Sequence, residues 1–191
     1  MNKLALRLGL LVLAALVPLA VSAAKLKPYS LAFKTSGNVQ KIASEVRTKL
    51  EAHGFSVVGS YQPYDTAHIL IITNNELKRI ASKTTYGGFG AVLKVAVTAV
   101  GKEIQVSYNN PNYVGLAYNM DSRLQGVKTS LGKALGFIND FGGGDGVEEG
   151  ELPDYNYTFG LEGFGGFFEF VDHGTYDNAI KKVENGLVHP G

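Results

Sequence analysis

Apolar and polar positions along this chain fall into blocks of two different periods. In YSLAFKTS, Leu31 and Phe33 alternate with smaller or polar neighbours, so a short strand with both side chains inward is predicted. Asn38 then precedes Val39, Ile42, Ala43, Val46 and Leu50, whose spacing predicts a helix capped by Asn38 and stopped at Gly54. FSVVGSYQ and AHILIITN predict two strands joined by a turn at QPYD. The second of them is continuously apolar from Ile69 to Ile72, which places it inside a sheet. Asn75 is positioned to cap a short helix that buries Leu77, Ile80 and Ala81. After the glycine-rich bend YGGFG, the run AVLKVAVTAVGKEIQVSY predicts a hairpin turning at Val100, Gly101 and Lys102, with Val95, Val97, Ile104 and Val106 packed. Asp121 is expected to cap a second long helix carrying the stripe Leu124, Val127, Leu131, Leu135 and Ile138. Gly132 and Gly136 within it suggest either a close approach to the sheet or simple tolerance of glycine.

The order is β-α-β-β-(short α)-β-β-α, and each long helix has one apolar stripe to bury. An α+β fold follows, with an antiparallel sheet and the two long helices on one face. Residues 24–140 are assigned to this domain. Beyond Ile138 the pattern stops: FGGGDGVEEGELPD is rich in glycine and acid without a basic residue, and 141–153 is read as a linker. Residues 154–191 form a C-terminal strand-helix extension, with Ala179, Ile180, Val183 and Leu187 along one side of its helix. Shifted by 137 positions, Phe170, Gly174, Val183, Leu187 and Gly191 fall on Phe33, Gly37, Val46, Leu50 and Gly54, which reads either as an incomplete second copy of the first strand-helix unit or as chance similarity between two such units.

The N-terminus changes the picture of where this domain works. Lys3 and Arg7 precede an apolar run from Leu8 to Ala20, and VSAA offers small residues for cleavage after Ala23, so 1–23 is read as a secretory signal peptide. A periplasmic or secreted protein is expected, with no membrane association after cleavage. Without Lys3 and Arg7, 16 basic residues face 17 acidic ones, a balance that excludes a phosphate-seeking surface and makes nucleic acid an unsuitable partner. The chain has no cysteine, which removes disulfides and thiolate chemistry.

Candidate chemistry is sparse. Asp65 and His68 stand three apart, which would let a carboxylate orient an imidazole only if the turn curled back. The four histidines show no paired metal-ligand spacing, so no metal site and no cofactor is expected. YGGFGA lacks the spacing and lysine of a phosphate loop, and no serine sits in a nucleophile elbow. Catalytic residues are therefore assigned to none. What stands out is VSYNNPNYVGLAYN, where tyrosines and amides follow the last hairpin strand. NNPN is read as a turn, because Pro111 does not extend a ladder. Tyr61, Tyr64, Tyr108, Asn110, Tyr113 and Tyr118 form the candidate ligand-binding set, with core or cover as the alternative role for the phenol rings.

The run from Gly54 to Tyr118 resembles the family catalogued as domain of unknown function 302. It shares a Gly-Phe after the first helix (Gly54, Phe55), a hydrophobic strand ending in Thr-Asn (Thr73, Asn74) and a valine-rich hairpin closing on Tyr-x-Asn-Pro (Tyr108, Asn110, Pro111). The resemblance spans about residues 30–138 and implies a TATA-binding-protein-like β-α-β4-α fold. It implies no activity. The reading that follows is an exported binding or accessory protein for a small, partly apolar ligand. Its alternative is an interaction module that joins a second copy or another exported protein through the aromatic C-terminal extension.

Overall fold

The computed structural model describes residues 25–85, 87–120, 123–156, 158, 160, 163, 164, 166 and 171–188. The expected signal peptide, the Asp121 cap and the strand expected around Phe170 lie outside the described residues.

A six-stranded antiparallel sheet organises the fold. Its strands are β2 (Tyr29–Thr35), β3 (Ser56–Tyr64), β4 (Ala67–Thr73), β5 (Leu93–Val100), β6 (Glu103–Asn109) and β7 (Asn139–Phe141), in the spatial order β3-β4-β5-β6-β2-β7. A separate pairing joins β1 (Lys25–Leu26) to β8 (Val147–Glu148). Helices α1 (Val39–Ala52) and α4 (Gln125–Leu135) pack together, α1 across β3, β4 and β5 and α4 against β2. The α+β class and the helix-covered sheet are as the sequence predicts.

The reasons are local. Asn38 Oδ1 accepts from Lys41 N at 3.1 Å, and the five stripe residues of α1 are its buried ones. At the other end Gly54 adopts φ +81°, its N–H donates to Glu51 O at 3.1 Å, and Phe55 N donates to Leu50 O at 3.1 Å. That paired closure needs a left-handed residue, and Phe55 packs back into the core behind it. The β5-β6 hairpin turns on Gly101 at φ +62°, between the paired residues Val100 and Glu103.

Several expectations need correction. The cap of α2 (Asn75–Ala81) is Asn74, which accepts from Leu77 N at 2.7 Å; Asn75 is the first helical residue. Helix α4 starts at Gln125 behind Leu124, which sits at φ +47°, and it ends at Leu135, leaving Ile138 53% exposed. Gly136 is the left-handed terminator of that helix, and a side chain at Gly132 would meet nothing within 4 Å, so no close approach to the sheet requires it. Leu31 and Phe33 are not on one face. Leu31 pairs with Ser107 and Phe33 with Val106, and this bulge turns the two side chains to opposite sides.

NNPN does more than turn. Asn110 caps α3 (Pro111–Ala117) with Pro111 in its first turn, where a missing N–H costs nothing. The segment expected as a linker is tied down at both ends. Asn139–Phe141 is an edge strand on β2, Val147–Glu148 returns to β1, and Leu152 is fully buried with Leu26 and Ala117. Gly142, Gly143, Gly144 and Gly146 all have positive φ, so the glycines serve a tight path rather than slack. The extension contributes α5 (Tyr176–Val188), none of whose residues is buried.

Candidate functional site

Strand register decides what the uncovered face of the sheet presents. Val95, Val97, Val106 and Tyr108 point to the helices and are buried. Their neighbours point the other way, and cross-strand pairing aligns them in rows. One row runs Tyr61, Ile69, Ala96, Ser107, Leu31. The next runs Gly59, Ile71 and Lys94, then, across the bond from Lys94 N to the Asn109 side chain, Asn109, Tyr29 and Phe141. A third runs Tyr64, Ala67, Thr98, Gln105, Lys34. Tyr61 and Tyr64, three apart, reach the same face because the strand bulges between them.

Over the middle of these rows lies a cavity of about 560 Å³. Its floor is Ile69, Ala96 and Ser107, and aromatic pairs stand at its walls. Tyr29 and Phe141 are 5.7 Å apart between ring centroids on one side, and Phe89 and Tyr118 stack at 5.7 Å on the other. Tyr29, Asn109, Val114 and Tyr118 also line an adjoining cavity of about 360 Å³, closed by Tyr113 and Phe164. Phe164 meets Tyr113 edge-on at 6.2 Å and Tyr118 edge-on at 5.9 Å.

Glycines shape the rim. The strip carrying Phe89 is a single 3₁₀ turn, Gly87–Gly90, and a Cβ on Gly87 would collide with the backbone oxygen of Ala81. Only glycine lets this turn lie so close to the end of α2. Asn109 Oδ1 accepts from Lys94 N at 2.7 Å, which fixes the amide across the β5-β6 pair.

The six tyrosine and amide candidates divide. Tyr113 and Tyr118 line the cavities, the first from inside α3 and the second from its C-terminal cap. Tyr61 and Tyr64 lie on the same face but outside either lining, 45% and 72% exposed. Tyr108 borders the larger cavity, yet its side chain points to the helices, 1% exposed, and its hydroxyl donates to Gly136 O at 3.3 Å. Burial and the nearby Asp140 carboxylate push that phenol up to about 12, against a lowering contribution from Ser30. Asn110 is fully buried: Nδ2 donates to Lys27 O at 2.9 Å and Oδ1 accepts from Asn112 N at 3.2 Å. Burial, and then the neighbouring Tyr155, Tyr29 and Tyr118, raise the Tyr113 phenol.

The residues that carry the family resemblance are joints of the fold. Thr73 Oγ1 donates to Ala91 O at 2.7 Å, while Gly54, Asn74 and Asn110 end or begin helices. His68 lies on the helix side, paired with Val97, and among the described residues its buried Nδ1 has no partner, so Asp65 does not orient the ring through that nitrogen. Among the described residues no group of three or more His, Asp or Glu is placed to hold a metal ion.

Ile69, Ala96, Ser107, Phe89, Tyr29 and Phe141 escaped the sequence reading as site residues. One signal was available: Ile69 to Ile72 is apolar on both faces, so something apolar was due on each side of β4.

No protein-family model and no curated protein matches the chain. Among solved structures, it is similar to the crystal structure of an uncharacterized conserved protein, DUF302, from Bacillus stearothermophilus. The identity is 14%, the match covers 56% of this chain and 94% of that one, and the TM-score is 0.49. That protein carries the same family designation that residues 30–138 suggest. No activity, ligand or partner is stated for it.

Proposed function

We propose that this chain is an exported binding or accessory protein, without a reaction of its own, that holds a small and partly apolar molecule on the open face of its sheet. One observation carries the reading: the cavity of about 560 Å³, with an apolar strand floor and aromatic walls. Its volume lies in the range of about 300–1,000 Å³ typical of small-molecule sites. Aromatic walls give a ligand large contact area, and Ser107, Asn109 and the Tyr118 hydroxyl supply a few orienting polar groups. Export rests on the charged start, apolar run and small residues before Ala24.

A neutral environment-sensitive dye such as Nile red tests the site. It should gain fluorescence saturably with the protein and lose that gain in Ala96→Phe, whose ring would fill the floor. If Ala96→Phe keeps its circular dichroism and binds the dye as before, the cavity is not the site.

A second reading has its own observation. Along α5, Ile180, Val183 and Leu187 are 37%, 57% and 77% exposed on one side of the helix. Such a stripe fits association with the same stripe of a second copy.

A further inference from the structure

We infer that the molecule held on the open face is an amphipathic anion, an apolar body bearing one acid group, and that Lys94 pairs with that group. This rests on the proposed binding reading and adds the chemistry of the ligand to it.

The argument is one of charge. Among the described residues, the lining of the larger cavity contains a single side chain charged at neutral pH, Lys94, amid apolar, aromatic, amide and hydroxyl groups. Lys94 sits mid-sheet, paired with Ile71 and bonded through its backbone N–H to the Asn109 side chain, with Tyr29 and Phe141 further along. None of these is acidic. The next row, from Tyr61 to Leu31, carries no charge at all. In the third row Lys34 is already paired with Glu103 at 3.4 Å. Among the described residues, Lys94 Nζ has no ion-pair partner, as is true of most lysines here; what sets it apart is its place in the cavity lining.

Lys94 is exposed at the border of the cavity, its ammonium free to turn toward a ligand. Next to low-polarity walls its field is less screened than over open solvent, so an anion brought there by an apolar body is held more firmly than in water. The Asn109 amide is held by the Lys94 backbone N–H through Oδ1, which leaves Nδ2 free to donate to the same acid group. Lysine, a point charge on a flexible stem, accepts carboxylate, sulfonate or phosphate heads alike. The shared chemistry is therefore one negative head on an apolar tail or ring.

Displacement of Nile red from the intact protein by decanoate and by decanol, equal in chain length, reads this directly. In the wild type decanoate should displace at about fivefold lower concentration, the scale of a partly exposed ion pair. The advantage should vanish in Lys94→Met, persist in Lys94→Arg and shrink as salt is raised. Replacing decanoate by 3-phenylpropionate tells an aliphatic from an aromatic acid. Equal displacement by decanoate and decanol in the wild type overturns the acid assignment and leaves the apolar cavity standing. If neither displaces a dye whose binding Ala96→Phe abolishes, the acid assignment also fails. If the dye does not bind at all, both readings fall together.

Discussion

The side-chain amide of Asn110 reaches back to the carbonyl of Lys27 at 2.9 Å, eighty-three positions earlier, while its own backbone N–H donates to Pro28 O at 2.8 Å. One buried residue thus starts α3 and anchors the chain entering β2. Asn110→Ala removes the cap and leaves the part-buried Lys27 carbonyl without its donor, and should cost about 2–3 kcal/mol in urea unfolding. Asn110→Asp keeps the cap but loses the donor, so it should fall between the two. Equal stability of all three proteins would show that neither bond matters.

Tyr108 supplies a prediction in alkali. Its folded pKa is raised from 10.0 to about 12, so the folded state keeps a proton that the unfolded chain releases first. The stability tied to this phenol is fully present below about pH 10 and is lost as pH rises through about 12. Tyr108→Phe should flatten the fall in melting temperature across that window. An unchanged alkaline slope would mean that the phenol ionises as easily folded as unfolded.

Two glycines should respond in opposite directions. Gly132 is inside α4, where an added methyl group would meet nothing within 4 Å, so Gly132→Ala should stabilise by up to about 1 kcal/mol. Gly87→Ala would drive a methyl against Ala81 O, and the turn carrying Phe89 must move. Thermal denaturation should show the contrast, with Nile red binding weakened only in the second variant.

The association reading predicts a mass change. Val183→Asp on the exposed stripe of α5 should convert a dimer to a monomer in size-exclusion chromatography with light scattering, with melting of the sheet domain unaltered. A wild-type protein that is monomeric at high concentration removes this reading.

How much of this was legible depended on where each signal is stored. Helix α1 could be read residue by residue because its stripe faces one sheet and both its ends are marked, by Asn38 and Gly54. Helix α3 was missed because seven residues show too little periodicity and Pro111 suits a turn as well as a first helical turn. The start of α4 depends on Leu124 in a left-handed conformation, for which leucine gives no sequence sign. The bulge between Leu31 and Phe33 is likewise invisible in their alternation. Tyr113 and Tyr118 drew attention as aromatics, whereas Ile69, Ala96 and Ser107 become one floor only through the register of three strands. Local composition does not encode that register.

The bulges in β3 bear on what can attach to this edge of the sheet. This outer strand is nine residues long and largely solvent-exposed, a shape that invites a neighbouring chain to add itself to the sheet. Yet its pairing slips between Val57 and Gly59 and again between Tyr61 and Tyr64, and Pro63 offers no N–H. A straight strand arriving from another molecule would meet two breaks in register along that border. The apolar face can therefore stay uncovered without the sheet growing sideways into a fibre at this edge.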